Sequence, residues 1–119
     1  MAYAVIMGIK VEFNPDIALR NIREFKEGRR LREECISEML EIGKIYDFLK
    51  EGQRLYWLEG ELPLVETEGG GKLSKPLASV TIVEVGHFIR DGKVWTKGMY
   101  KVHTVFDKNS RTFEGSSRL

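Results

Sequence analysis

Between Leu77 and Phe106 the chain alternates polar and apolar residues over two long runs, and this limits the possible folds more than any other feature. The alternation predicts two strands, Leu77–Val85 and Gly98–Phe106, with a hairpin folded between them at Arg90-Asp91-Gly92-Lys93. Asp-Gly between apolar runs is the strongest short-range hairpin signal, because a primed turn requires positive φ at both central residues. On the first strand Ala78, Val80 and Ile82 alternate with Ser79, Thr81 and Val83. On the last, Tyr100, Val102, Thr104 and Phe106 alternate with Met99, Lys101, His103 and Val105. Side chains two apart share a face of a strand, so Lys101 and His103 lie together on a face with aromatic neighbours.

The N-terminal half reads differently. Tyr3, Val5, Met7, Ile9, Val11 and Phe13 would share one side of a strand, with Lys10 and Glu12 on the other. Asn14-Pro15-Asp16 then has the chemistry of a helix start: a capping side chain, proline at the first helical position and an acid favourable to the dipole. Ala18, Ile22 and Phe25 supply a buried stripe, Gly28 a break, and Leu31, Cys35, Met39 and Ile42 a second stripe over about Arg29–Ile42. At Gly43 two readings compete. The helix can run on through Tyr46 and Leu49, or Gly43 can cap it and leave residues 44–49 as a strand. The β-propensity of Ile-Tyr-x-Phe before a Glu-Gly turn favours the strand.

Everything after Arg54 reads as β. Expected strands are Arg54–Leu58, Leu62–Thr67 (an edge strand, because it carries Pro63), His87–Ile89 with Lys93–Thr96 at the hairpin, and a short Arg111–Glu114. Glu59-Gly60-Glu61, Lys97-Gly98 and Asp107-Lys108-Asn109-Ser110 read as turns or bulges, residues 68–75 as a flexible loop, and residues 115–119 as a tail. The expected fold is α+β: one N-terminal strand and a helical segment packed on a curved, mainly antiparallel sheet or small β-barrel, forming one domain over residues 1–119. The order of elements over residues 44–106 resembles that of PUA-type and ASCH-type small barrels, which pack a helix on such a sheet. The resemblance implies RNA or nucleotide binding; no family motif is matched, so no functional residue carries across.

Composition bounds the function. The apolar and charged fractions, 42% and 31%, are those of a water-soluble globular chain, and no run is long enough to span a membrane. One cysteine, Cys35, cannot make an internal disulfide and suits a reducing, cytoplasmic setting. Scarce glutamine with abundant Lys, Arg and Glu suits a heat-adapted protein. The net charge of +1 conceals a basic C-terminal third, where seven Lys and Arg face three acids over residues 86–119. Overall charge is too low for strong non-specific nucleic-acid binding, which leaves room for a local anion site.

Several louder motifs fail their own chemistry. Gly69-Gly70-Gly71-Lys72 is not a P-loop, because Glu66 stands where the first glycine belongs and Leu73 where Ser or Thr must follow the lysine. His87 and His103 lack the further ligands a zinc site requires, so neither metal nor cofactor is expected. Cys35, on an apolar stripe, reads as core. No Gly-x-Ser-x-Gly occurs, and His103 beside Asp107 reads as a solvated pair. Arg29-Arg30-Leu31-Arg32 is flanked by Glu27, Glu33 and Glu34 and reads as a mixed-charge face.

What survives is the aromatic and basic set Arg54, Tyr56, Trp57, Trp95, Lys97, Lys101 and His103. Interleaved aromatic and cationic side chains can stack bases and contact phosphates. The expected function is therefore a small ligand-binding domain whose partner is RNA or a nucleotide-like molecule, with no membrane role. The alternatives are a non-catalytic homo-oligomeric interaction protein pairing through exposed strands, with Arg111–Glu114 as the candidate edge, and a small-molecule enzyme using His87 or His103 as acid or base.

Overall fold

The computed structural model describes residues 2–6, 9–67 and 75–106. Its main body is a curled, five-stranded mixed sheet, a half-barrel, in the order β3-β5-β6-β7-β4. These strands are β3 (Ile17–Arg20), β4 (Ile45–Glu51), β5 (Glu61–Thr67), β6 (Lys75–Arg90) and β7 (Lys93–Val105). A separate antiparallel pair, β1 (Ala2–Ile6) and β2 (Ile9–Phe13), precedes them. Helix is confined to α1 (Ile22–Lys26) and a 3₁₀ turn at Arg32–Glu34. The fold is α+β in a coarse sense only, and largely β.

The long β6–β7 ladder is the spine. Asp91 and Gly92 take φ of 52° and 76°, the two positive values that a primed turn demands. The hairpin strands expected as separate short pieces merge with the long ones, so β6 and β7 run unbroken from either side of that turn. Of the two readings of Lys97-Gly98, turn or bulge, the turn is not found: both residues lie within β7, next to an irregularity in its pairing. Gly98 sits inside β7 because a β-carbon there would lie 2.1 Å from the Glu84 carbonyl oxygen and 2.9 Å from the Phe48 ring. The crowding occurs beside a register shift between Ile82 and Glu84, which leaves Val83 as the extra residue. Lys75, expected as the end of a loop, opens β6; the loop's residues 68–74 lie outside the described set.

The inner face of the curl holds the core. Ile17, Leu19, Phe48, Tyr56, Leu64, Val80, Ile82, Tyr100 and Val102 are all buried there, with Ile36 closing one side. The aromatic rings stack in sequence: Tyr46 on Tyr100 at 5.7 Å, and Phe48 edge-on to Tyr56 at 5.7 Å. Strand β4 confirms the reading of residues 44–49 as extended, and its inward Tyr46 and Phe48 account for the alternation.

Other sequence expectations are corrected. The single N-terminal strand is two strands, paired with Ile6 opposite Ile9. The helix expected from Asn14 is instead β3, paired in parallel with β5, followed by a helix of one turn capped by Asn21. Asn14 serves a backbone partner rather than a helix: its N–H donates to the Leu55 carbonyl at 2.7 Å and its side-chain oxygen accepts from the Leu55 N–H at 2.9 Å. Apolar residues at helical spacing over Arg29–Ile42 do not make a helix. Leu31, Met39 and Ile42 are exposed, while Cys35 bridges to Arg20 and Ile36 donates to the Arg20 carbonyl, so this stretch runs along the β3 edge. Residues 54–58 are irregular rather than a strand.

Pro63 lies in an interior strand, not an edge strand, yet its chemistry is respected. β3 pairs only with Leu64–Thr67, so at Pro63 the side of β5 facing β3 carries no ladder. The expected strand Arg111–Glu114, the turn at residues 107–110 and the tail lie outside the described residues.

Candidate functional site

The two-residue turn sets the hairpin register: Arg90 opposite Lys93, Phe88 opposite Trp95, Gly86 opposite Lys97, Glu84 opposite Met99 and Thr81 opposite Lys101. On β7 the buried residues Thr96, Gly98, Tyr100 and Val102 face the core. Period two therefore sends Lys93, Trp95, Lys97, Met99, Lys101 and His103 to the outer face together. Four of the residues singled out in the sequence, Trp95, Lys97, Lys101 and His103, share this surface.

The other three do not. Tyr56 is buried at 5% exposure against Phe48, and burial pushes its phenol above the usual tyrosine range. Trp57 is exposed but stands elsewhere, edge-on to Phe13 at 5.0 Å. Arg54 belongs to the irregular segment that follows β4. Its N–H donates to the Thr96 hydroxyl at 2.9 Å, its guanidinium to the Glu51 carbonyl, and that hydroxyl donates on to the Gly52 carbonyl at 2.8 Å.

Phe88 is the residue sequence reasoning missed. Its ring carries Arg90 at 5.1 Å and Lys97 at 5.4 Å from its centroid, a double cation–π arrangement. The signal was present: an Asp-Gly turn of two residues places Phe88 across from Trp95. An open groove of about 560 Å³ runs over this face, lined by Leu31, Phe88, Arg90, Lys97 and Met99. Glu33, Asp47 and Glu84 line it as well, so carboxylates outnumber cations there. Such a groove suits a stacking, hydrogen-bonding group better than a polyphosphate. Lys93, Trp95, Lys101 and His103 lie on the same face of β7 but outside the groove's lining, and Lys93 is 3.5 Å from Glu51.

The histidines do not meet. His87 lies opposite the core-facing Thr96 and its Nε2 shares a 2.9 Å hydrogen bond with the Arg54 carbonyl, whereas His103 sits on the outer face against the Thr81 hydroxyl. Among the described residues no cluster of three or more His, Cys, Asp or Glu side chains is placed to hold a metal. Cys35 is buried, which raises its thiol pKa. Comparison with known proteins finds no matching family model, no matching curated protein and no matching solved structure. No described helix is long and apolar enough to cross a membrane.

Proposed function

We propose that this protein is a small ligand-binding domain that takes single-stranded RNA or a nucleotide on the outer face of β7. The observation supporting this is the order of side chains along that face, Lys93-Trp95-Lys97-Met99-Lys101-His103, with Phe88 beside Trp95 in register. A strand advances about 3.3 Å per residue, so lysines four apart recur roughly every 13 Å, with an unsaturated or polarisable side chain between them. Bases stack on Trp95 and Phe88, and the lysines meet the backbone that connects them. Because Glu33, Asp47 and Glu84 line the groove, few phosphates are neutralised and the salt dependence of binding is shallow.

Titration with short oligoribonucleotides and with mononucleotides, followed by tryptophan fluorescence at two salt concentrations, tests this. Quenching is expected, with a Trp95→Ala variant binding about tenfold more weakly, since one stacked base contributes roughly 1–3 kcal/mol. Absence of quenching, or unchanged affinity in a folded Trp95→Ala protein, refutes the reading.

A further inference from the structure

A second cleft lies where the curl of the sheet leaves its two edge strands facing each other. It has a volume of about 530 Å³ and is lined by Arg20 of β3, Arg30 and Glu34 of the irregular segment, and Lys50 and Glu51 of β4, with Arg54 beyond it. Four cations from four stretches of chain thus converge against two carboxylates. Glu34 accepts from the Leu31 N–H at 3.0 Å and offsets Arg30 at 3.1 Å, whereas Glu51 pairs outward with Lys93 at 3.5 Å, so Lys50 and Arg54 have no carboxylate ion pair among the described residues. Glu24, behind the cleft, is 5% exposed and holds Arg20 at 3.1 Å and Arg30 at 3.6 Å.

Lys50 is the unusual member. Its position opposite Thr96 turns it to the inner face, and its ammonium reaches across the seam to donate to the Ala18 carbonyl of β3. An ammonium has three donors, and among the described residues that carbonyl accepts one. Placing a cation in a half-buried cleft beside further cations is unfavourable unless an anion joins them.

We infer that this seam cleft is a binding site for a small phosphate ester or diphosphate, gripped by Lys50, Arg30 and Arg54 between the edges of the half-barrel. The site is distinct from the outer face of β7, and neither reading depends on the other. The lining carries no aromatic ring and so offers no base-stacking platform here. Guanidinium groups match the paired oxygens of phosphate, and the donors of Arg30 and Arg54 left over by Glu34 and by the Glu51 carbonyl would serve it beside the Lys50 ammonium.

The same geometry couples binding to a proton. Burial first, and then the charge of Arg54, lowers the Lys50 pKa to about 8; Arg20 and Arg30 act in the same direction and Asp16 against them. Glu34 and Glu51 complete the charged groups around the cleft. A bound dianion favours the protonated amine, so binding above pH 8 takes up a proton.

Calorimetric titration of the full chain with methyl phosphate, which is already a dianion at pH 8.5 and has no proton of its own to release, against sodium chloride at matched ionic strength, tests this. Saturable binding at one site is expected, accompanied at pH 8.5 by proton uptake, read from the dependence of the heat on buffer ionisation enthalpy. Arg54→Gln and Arg30→Gln should each weaken it about tenfold, with circular dichroism confirming that each variant is folded. Lys50→Met should abolish the proton uptake; if that variant does not fold, the two arginine variants carry the test. Heats reproduced by chloride, affinity unchanged in the folded arginine variants, or binding with no proton uptake overturns the proposal.

Discussion

The β6–β7 hairpin and the stretch from Asn14 to Ile42 are comparable in length but are held together in different ways. In the hairpin each residue's neighbours follow from a turn and a period of two, and the core-facing Val80, Ile82, Tyr100 and Val102 are at most 1% exposed. In the earlier stretch, charge does much of the work. Glu24 and Glu34, both buried, gather Arg20, Arg29 and Arg30, while the backbone N–H groups of Arg29 and Arg30 donate to the Glu24 carbonyl at 2.8 and 3.1 Å. Regular ladders tolerate variation on the outer face and little change inside. An irregular segment of this kind depends on a few polar hubs.

The largest expected effect comes from breaking the regular region at its tightest point. Gly98→Ala must push β7 from the Glu84 carbonyl and the Phe48 ring, and should cost about 3 kcal/mol or more in urea unfolding. Gly86→Ala is the contrast, because a β-carbon there meets nothing within 4 Å. A loss at position 86 equal to that at 98 contradicts the close approach as the cause.

Next is the junction between the two regions, where Lys50 of β4 reaches Ala18 of β3. Its folded pKa of about 8 lies below the ordinary 10.5, so between these values the unfolded chain holds more protons and stability rises with pH. Linkage gives a gain of about 2 kcal/mol between pH 7 and pH 10. Above about pH 10 the buried Tyr56 and Tyr100 act oppositely, because burial raises their pKa values and the unfolded chain loses those protons first. Denaturant midpoints measured from pH 7 to 10 in the wild type and Lys50→Met should show the rise in the first and its absence in the second; a rise kept by Lys50→Met assigns it to another group.

The smallest effect belongs to the polar hub. Glu24→Gln keeps the shape of the side chain and removes its charge, and should cost about 1 kcal/mol, since its partners Arg20, Arg29 and Arg30 can turn to water. Urea unfolding measures it, and a loss of about 3 kcal/mol or more would show that the arginines stay buried without a partner.

The hairpin's legibility came from short-range chemistry. Asp91-Gly92 names its turn, the turn sets the register, and the register places Phe88 beside Trp95 and brings Trp95, Lys97, Lys101 and His103 to one face. The stretch from Asn14 to Ile42 misled because Leu31, Cys35, Met39 and Ile42 have helical spacing, yet Met39 and Ile42 are 70% and 69% exposed. Spacing records a possible face, and only neighbours decide whether that face is buried. Here the free edge of β3 bonded Ile36 and Cys35 in extended form.

Local sequence thus determined the long ladder, its turn and the residues that share the outer surface of β7, and favoured a strand at residues 44–49 over a continued helix. Tertiary structure alone decided the roles of Asn14, Gly98 and Lys50. Asn14 became the partner of Leu55, Gly98 the site where β7 meets the Glu84 backbone and the Phe48 ring, and Lys50 the tie between edge strands far apart in the chain. The physical reason is the same in each case. A turn or an alternation is specified by residues within a few positions of one another, whereas a cap, a close approach or a buried charge acquires its meaning from a partner that only the closing of the sheet brings near.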